Sequence, residues 1–255
     1  METSFEDCVF LKFSSQLQGG VIYTEKSTAT TRFSRVMFLE NAAGTGGAVM
    51  VDTASELFFE NCTFRGNEAL SGNGGAISIS SNGASRVRLV SVRSFSDSAI
   101  NGRGGFLYAG RSSTLEIDGG LIEDATAEVG AAIGIRSGIA SLNNVTVKSA
   151  RPSDDRDAAV QCQFSNLALL GTTIENTVGR GLTGFECILT VAESRFVSNT
   201  ATVGNGGAVS LTFDSSFAAS EAVFEDNVAK GDGGAIACSQ CVKLEISQTE
   251  FRRNT

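Results

Sequence analysis

A charged turn near the middle of the chain carries the residues best suited to chemistry. Arg151, Asp154, Asp155, Arg156 and Asp157 place three carboxylates and two guanidiniums within seven positions. Clustered carboxylates can bind calcium, so Asp154, Asp155 and Asp157 are candidate metal ligands. With the two arginines, the same turn is the candidate site of a polysaccharide lyase or hydrolase. We favour the simpler interpretation, a solvated turn whose charges pair with one another, and therefore predict no metal site.

Side chains suited to other catalytic chemistry are scarce. The 255 residues include no His and two Tyr, so acid–base catalysis would fall to carboxylates, Lys or Tyr. A glycosidase needs two carboxylates that converge on the substrate from opposite sides. No such pair is recognisable here, since the acidic residues of the charged turn lie in one turn and not in neighbouring coils. The sequence therefore predicts a non-catalytic protein without a cofactor. Polysaccharide lyase or hydrolase activity is the alternative.

The six cysteines offer two possible pairs. Cys162 and Cys187 fall in neighbouring repeats and could form a disulfide, which would fit an extracellular protein. Alternatively, Cys162 is a small buried apolar side chain. Cys238 and Cys241 have the CxxC spacing of zinc sites, but the chain has no second such pair and no His, so we predict no metal there.

These residues belong to one pattern that repeats along the chain. Each near-identical copy pairs a Phe-x-x-Asn motif with a Gly-Gly-Ala-(Ile/Val) motif. The copies are Phe38–Asn41 with Gly46–Val49, Phe64–Asn67 with Gly74–Ile77, Phe196–Asn199 with Gly206–Val209, and Phe224–Asn227 with Gly233–Ile236. The Gly-Gly of this motif, or the pair of residues that replaces it in other repeats, is called the small pair. From Gly20 to Gly234 the second residue of the small pair occurs nine times, at intervals that average just under 27 residues. Such a period predicts a solenoid.

The spacing within each repeat indicates the type of solenoid. Apolar residues alternate with polar or small ones, as in β-strands that bury one face. Three short strands and three turns fit into one repeat, which predicts an all-β, right-handed parallel β-helix of about nine coils. We expect a single domain over residues 1–255. We also expect uncapped ends and a longer parent protein.

The pattern also predicts which side chains point inward. The second and fourth residues after each small pair are expected to face the interior, so that Ile77, Leu107 and Ile133 lie above one another. The same rule places Thr183 and Phe185 inside.

One repeat breaks this inward pattern. A second inward pair lies seven and five residues before the aromatic residue of a repeat, as Leu57 and Phe59 do before Phe64. If Phe95 is the aromatic residue of this repeat, Arg88 falls at an inward position. Either the strand register shifts there or the Arg88 side chain lies outside, because an unpaired buried charge is costly.

Structural roles explain the repeated residues. Glycine permits a positive φ and close approach of coils, stacked Asn amides can satisfy backbone groups, and the Phe rings are expected to stack inside. These positions are Phe38, Asn41, Gly46, Gly47, Phe64, Asn67, Gly74, Gly75, Phe196, Asn199, Gly206, Gly207, Phe224, Asn227, Gly233 and Gly234. The central coils replace the Asn by Ala125, Ala150 and Thr177, so if the rod has a specialised face, we expect it there.

Charge and hydropathy exclude several partners. The formal net charge of −8 argues against binding nucleic acid or anionic membranes. No apolar stretch approaches the ~20 residues of a membrane-spanning helix. We therefore predict no membrane span within this segment.

The paired motifs resemble the repeats of the chlamydial polymorphic outer-membrane proteins. The resemblance in period covers the whole chain, and it is strict before Phe95 and after Phe196. In that family such repeats form surface-exposed segments that act in adhesion. The resemblance implies an extracellular or cell-surface structural or adhesive rod. Its expected partners are other protein or glycan surfaces, or further copies of itself in a filament.

Overall fold

The chain is a parallel β-helix, seen in a computed structural model that describes residues 2–25, 30–52, 54–79, 84–154 and 157–255. Over these residues it forms strands and no helix, and the strands that pair do so in parallel. Each strand pairs with the strands one repeat before and after it, so about nine coils of about 27 residues stack along one axis. This confirms the predicted solenoid.

The largest sheet contains 17 strands within the described residues and wraps around two faces of the coil. Strands of its first face are Glu2–Glu6, Thr30–Ser34, Glu56–Glu60, Asn166–Leu170, Ile188–Ala192, Ser216–Ser220 and Lys243–Ser247. Strands of its second face are Val9–Leu11, Met37–Leu39, Thr63–Arg65, Thr173–Glu175, Arg195–Val197, Val223–Glu225 and Glu250–Arg252. Three longer strands pass through both faces: Arg86–Phe95, Thr114–Glu123 and Ile139–Lys148.

The third face is a nine-stranded sheet in the described part of the chain. Its strands are Ile22–Thr24, Val49–Val51, Ile77–Ile79, Leu107–Ala109, Ile133–Arg136, Ala158–Gln163, Arg180–Phe185, Val209–Thr212 and Ile236–Ser239. Two small sheets lie between the second and third faces. They contain Ala42–Ala43, Glu68–Ala69, Ser98–Arg103, Thr126–Val129 and Arg151–Pro152, and then Thr200–Ala201 and Val228–Ala229.

Single left-handed residues turn the chain from one face to the next. The bend between the two faces of the largest sheet has positive φ at, for example, Asn61, Asn144 and Glu193. The bend after the second face has it at Glu40 and Asp226. A left-handed residue is unfavourable for L-amino acids outside Gly, Asn and Asp. Asn and Asp suit these bends, whereas the regular stacking of coils holds Glu40 and Glu193 in a conformation that local preference would not select.

Alternating side chains fill one continuous core. In the strand Glu56–Glu60, Leu57 and Phe59 are buried while both glutamates face solvent. On the third face Ile77 pairs with Leu107, and Leu107 pairs with Ile133. All three are fully buried, as predicted. At ~1.5–3 kcal/mol for each large apolar side chain, this interior is the main stabilising term.

The register corrects the prediction for the repeat that contains Arg88. Ser94, and not Phe95, pairs with Phe64 and Ile122 in the aromatic position. Phe95 lies one position further on and outside, with its ring 5.2 Å from the Arg65 guanidinium carbon. The inward pair is consequently shifted by one residue, and Arg88 is exposed beside Glu116.

A second correction concerns the coil that begins at Ala158. Only 23 residues separate Ala158 from Gly181, the shortest step between small pairs. The shortened coil shifts the register by one, so Leu182 and Gly184 are the inward residues. The prediction that Thr183 and Phe185 point inward is therefore wrong.

Candidate functional site

The repeated Asn side chains form buried hydrogen-bonded ladders. The Asn67 Nδ2 atom donates to the Phe38 carbonyl at 3.0 Å and to the Asp97 carboxylate at 2.8 Å. Its Oδ1 atom accepts from the backbone N–H and the side-chain amide of Asn41. The amide is thereby fully satisfied without water, which removes the cost of burying it. One ladder runs through Asn41, Asn67 and Asp97, and the other through Thr177, Asn199, Asn227 and Asn254.

Stacked Phe rings accompany both ladders. The Phe38 and Phe64 rings are 4.8 Å apart and nearly parallel, and Phe33 stacks on Phe59 at 4.6 Å. At the other end Phe196 stacks on Phe224 at 5.0 Å. These side chains are fully buried, so they do not form an exposed platform for a ligand.

The first ladder ends at a buried acid. Asp97 accepts two hydrogen bonds from Asn67, and its second oxygen accepts from the Ser94 hydroxyl at 2.7 Å. Burial raises the pKa of the Asp97 carboxyl to about 7, against the lowering effect of these hydrogen bonds. Ser94 stands at the position that Phe64 holds in the preceding coil, and its small side chain leaves part of the interior unfilled. Phe106 packs there instead, with its ring 5.5 Å from Phe64.

The two glycines of each pair have different functions. Gly74 has a φ of +69°, the left-handed region that glycine adopts without strain. Gly75 has no such φ, but an added Cβ would overlap the carbonyl oxygen of Gly105 in the next coil. The first glycine therefore shapes the turn, and the second allows the coils to stack closely.

The structure distributes the charged turn over two places. Arg151 is exposed on a small sheet, Asp154 is partly exposed, and Asp155 and Arg156 lie outside the described residues. Asp157 instead is partly buried beside the third face, and its carboxylate accepts from the Ala158 N–H at 2.7 Å. Among the described residues, no three His, Cys, Asp or Glu side chains converge as a metal site.

Asp157 belongs to a polar network on the outer face of the nine-stranded sheet. Burial raises the pKa of its carboxyl, against the lowering effects of hydrogen bonds and of Arg103 and Arg180. Arg180 donates to the carbonyls of Asn205 at 2.7 Å and Val203 at 3.0 Å, and burial lowers its pKa. Protein partners thus hold the Asp157 carboxylate and the Arg103 and Arg180 guanidiniums in place.

This network borders a groove that we call the sheet groove. Its floor consists of two files of outward side chains, Gln161–Thr183–Ser210 and Gln163–Phe185–Thr212, in adjacent strands. One part, about 260 Å³ in volume, extends from Asp157 to Thr212. A second part of about 650 Å³ shares Arg180, Ser210 and Thr212 with the first and continues to Ser239.

Phe185 lines the sheet groove, and two further phenylalanine rings contact it. The Phe185 ring lies 5.3 Å from that of Phe164 and 5.2 Å from that of Phe213. Phe164 is 42% exposed and Phe213 51% exposed. Both have positive φ, 53° and 43°, a strained conformation that costs roughly 1–3 kcal/mol for a bulky residue. Sequence reasoning missed these residues because it placed Phe185 inside. The short step between Ala158 and Gly181 was the available signal.

Both candidate cysteine pairs lie close together. The structure joins Cys162 to Cys187, with their Cα atoms 6.2 Å apart in neighbouring coils. Gly184 of the next coil pairs with Cys162, and an added Cβ there would meet the Leu211 and Leu189 side chains at 2.8 and 3.0 Å. The structure also joins Cys238 to Cys241, whereas Cys8 and Cys62 are free thiols.

No helix in the described part of the chain is long and apolar enough to cross a membrane.

Comparisons with known proteins identify the repeat. Residues 61–80 and 221–239 match the Chlamydia polymorphic membrane protein repeat. Each matched segment contains one Asn of a ladder, Asn67 or Asn227, and one Gly-Gly pair. No curated protein and no solved structure matched the chain. The chain therefore carries this repeat at two places, one on each side of the central coils.

Proposed function

We propose that this chain is an extracellular or cell-surface rod that acts in adhesion and has no catalytic activity. The observation that carries the proposal is the position of the two repeat matches. They fall on coils that carry the Asn ladders and the Phe stacks, one on each side of the central coils. A membrane-protein repeat on a β-solenoid fits a surface-exposed repeat protein.

Two further features support this assignment. The paired cysteines suit an oxidising compartment, where disulfides persist. The net charge of −8 keeps an elongated protein soluble and disfavours nucleic-acid partners. As expected partners we retain protein or glycan surfaces and further copies of the chain.

An adhesion assay tests the proposal. Beads coated with the 255-residue chain should be retained on cultured epithelial cells, whereas beads coated with albumin should not. The same preparation should release no reducing ends or unsaturated products from a panel of plant, bacterial and animal polysaccharides, with or without calcium. Absence of retention contradicts the adhesive role. Polymer cleavage that is lost in Asp157→Asn favours the lyase or hydrolase alternative instead.

A further inference from the structure

We infer that the sheet groove binds a neutral, extended oligosaccharide, with Phe185 as its stacking platform and the Gln, Ser and Thr files as its hydrogen-bonding floor. The inference rests on the proposed adhesive function and names the ligand class for it. The groove continues across the four strands from Ala158–Gln163 to Ile236–Ser239, a span of roughly 14 Å at ~4.8 Å per strand. That length matches a few residues of an extended glycan chain.

The floor offers polar groups at regular intervals. The Arg103 Nη1 atom donates to the amide oxygens of both Gln161 and Gln163, at 2.7 and 3.0 Å. Because these bonds hold the oxygens, the two amide nitrogens are directed to other acceptors. Ser210 and Thr212 add hydroxyls in the next coil but one. Amides in one coil and hydroxyls in the next two are suited to the hydroxyls of an extended sugar chain.

The aromatic side supplies the apolar part of the contact. The three rings cluster at the edge of the floor, and Phe185 itself lines the groove. Aromatic faces pack against the C–H face of sugar rings while polar neighbours bind the hydroxyls. Phe164 and Phe213 are exposed in the coils before and after Phe185, so the apolar contact extends beyond one coil.

Charge argues for a neutral ligand. The groove and its border contain two guanidiniums, Arg103 and Arg180, and two carboxylates, Asp157 and Asp232. These charges cancel, and Arg180 already donates to backbone carbonyls. An anionic glycan would therefore meet no net positive potential in the groove, and it would approach a chain of charge −8.

The backbone argues against a peptide as the occupant. An extended peptide gains most of its affinity by adding a strand to a free sheet edge. Under the groove, the strands that begin at Ala158, Arg180, Val209 and Ile236 are already paired with one another. A peptide lying on this face could use side-chain contacts only.

Titration calorimetry with defined hexasaccharides tests the inference. The probes are cellohexaose, laminarihexaose and maltohexaose, with hexagalacturonate as the acidic comparison, each up to about 5 mM. At least one neutral hexaose should bind, and hexagalacturonate should not. Phe185→Ala should weaken that binding about tenfold. Phe58→Ala removes a partly exposed ring from the first face and should leave binding unchanged.

Further variants keep the result interpretable. Gln163→Ala should also weaken binding, and Phe185→Tyr should preserve it, so the test does not depend on the folding of one variant. The inference is overturned if none of the neutral hexaoses binds. It is also overturned if Phe185→Ala and Phe58→Ala weaken binding equally, or if hexagalacturonate binds more tightly than the neutral hexaoses. Beads that adhere to cells while every neutral hexaose fails would refute the glycan groove and leave the adhesive function standing. Binding of a neutral hexaose by a chain that does not adhere to cells would refute the adhesive function and leave the glycan groove standing.

Discussion

The coils at the two ends and the coils in the middle are built on the same backbone plan with different turn chemistry. At the ends, an Asn ladder and a Gly-Gly pair fix the turn before the third face. In the middle, Ala125 and Ala150 interrupt the ladder. Asp157 occupies the first position of the small pair, where the end coils have glycine, and Arg180 pairs with Ala158 at the second position. Where the repeat relaxes, charged side chains enter the turn and border a groove.

The comparison separates stability from recognition. Ladder coils bury their distinctive side chains completely, so these side chains cannot contact a ligand. The irregular coils direct Asp157, Gln161 and Phe185 towards solvent or a groove. Regularity builds the solenoid, and the departures from it create the candidate site.

Phe106→Ala should have the largest effect on the boundary between the two regions. It removes a fully buried ring that fills the space left by Ser94, and should lower the free energy of unfolding by about 3–5 kcal/mol. Adding Ser94→Phe to this variant should restore part of the loss, because it returns a ring to the aromatic file. Urea unfolding of the two single variants and the double variant measures the coupling. Purely additive losses would contradict the exchange of volume between these positions.

Gly75→Ala should be nearly as harmful, because its Cβ would overlap the Gly105 carbonyl. We expect a loss of about 3 kcal/mol or more, since the obstacle is backbone and not a movable side chain. In the central coils the corresponding residue is already alanine, at Ala131 and Ala158, so Ala131→Gly should cost only about 1 kcal/mol. Thermal melting of both variants checks the contrast, and similar losses would refute the difference in coil packing.

Asn199→Ala should cost about 2–3 kcal/mol, because it removes the buried amide that donates to the Ile174 carbonyl and accepts from the Thr177 N–H. The matched control is Asn166→Ala, an exposed Asn on the first face, whose effect should stay within about 0.5 kcal/mol. Equal unfolding midpoints in urea for the two variants would show that the ladder does not stabilise the coils.

Asp97→Asn should change the pH dependence of stability. Burial raises the pKa of the folded carboxyl to about 7 from 3.8, so the folded state holds this proton more tightly than the unfolded state. The stabilising contribution is complete below pH 4 and is lost as the pH rises to 7, at up to ~1.4 kcal/mol per pH unit. Asp97→Asn should flatten that part of the curve. An unchanged slope between pH 4 and 7 in urea unfolding would contradict the assignment.

The fold could be predicted because one period governs the entire chain. Strand alternation and a constant repeat length determine which residues stack, and Ile77, Leu107 and Ile133 lie where that rule places them. The ladder could be anticipated from the recurrence of Asn, since a buried amide needs a regular partner in the next coil.

The groove could not be predicted because it depends on departures from the rule. The aromatic position of the repeat that contains Arg88 is assigned to Phe95 from the sequence because that residue is aromatic, whereas the structure places Ser94 there. The signal of a register shift was Arg88, a charged residue at a position expected to be buried. The shortened coil before Gly181 reversed the faces of Thr183 and Phe185. A one-residue change in register moves every side chain to the opposite face, so a small counting error conceals an exposed aromatic cluster.

Retention of coated beads on epithelial cells, compared between two surface variants, tests the central division most directly. Gln163→Ala/Phe185→Ala alters the irregular coils, whereas Phe58→Ala/Asn61→Ala alters the outer surface of a ladder coil. The account predicts that the first variant loses most of its retention while the second adheres like the parent chain, with both folded by circular dichroism. Equal retention of the two variants, or a loss confined to the second, would contradict it.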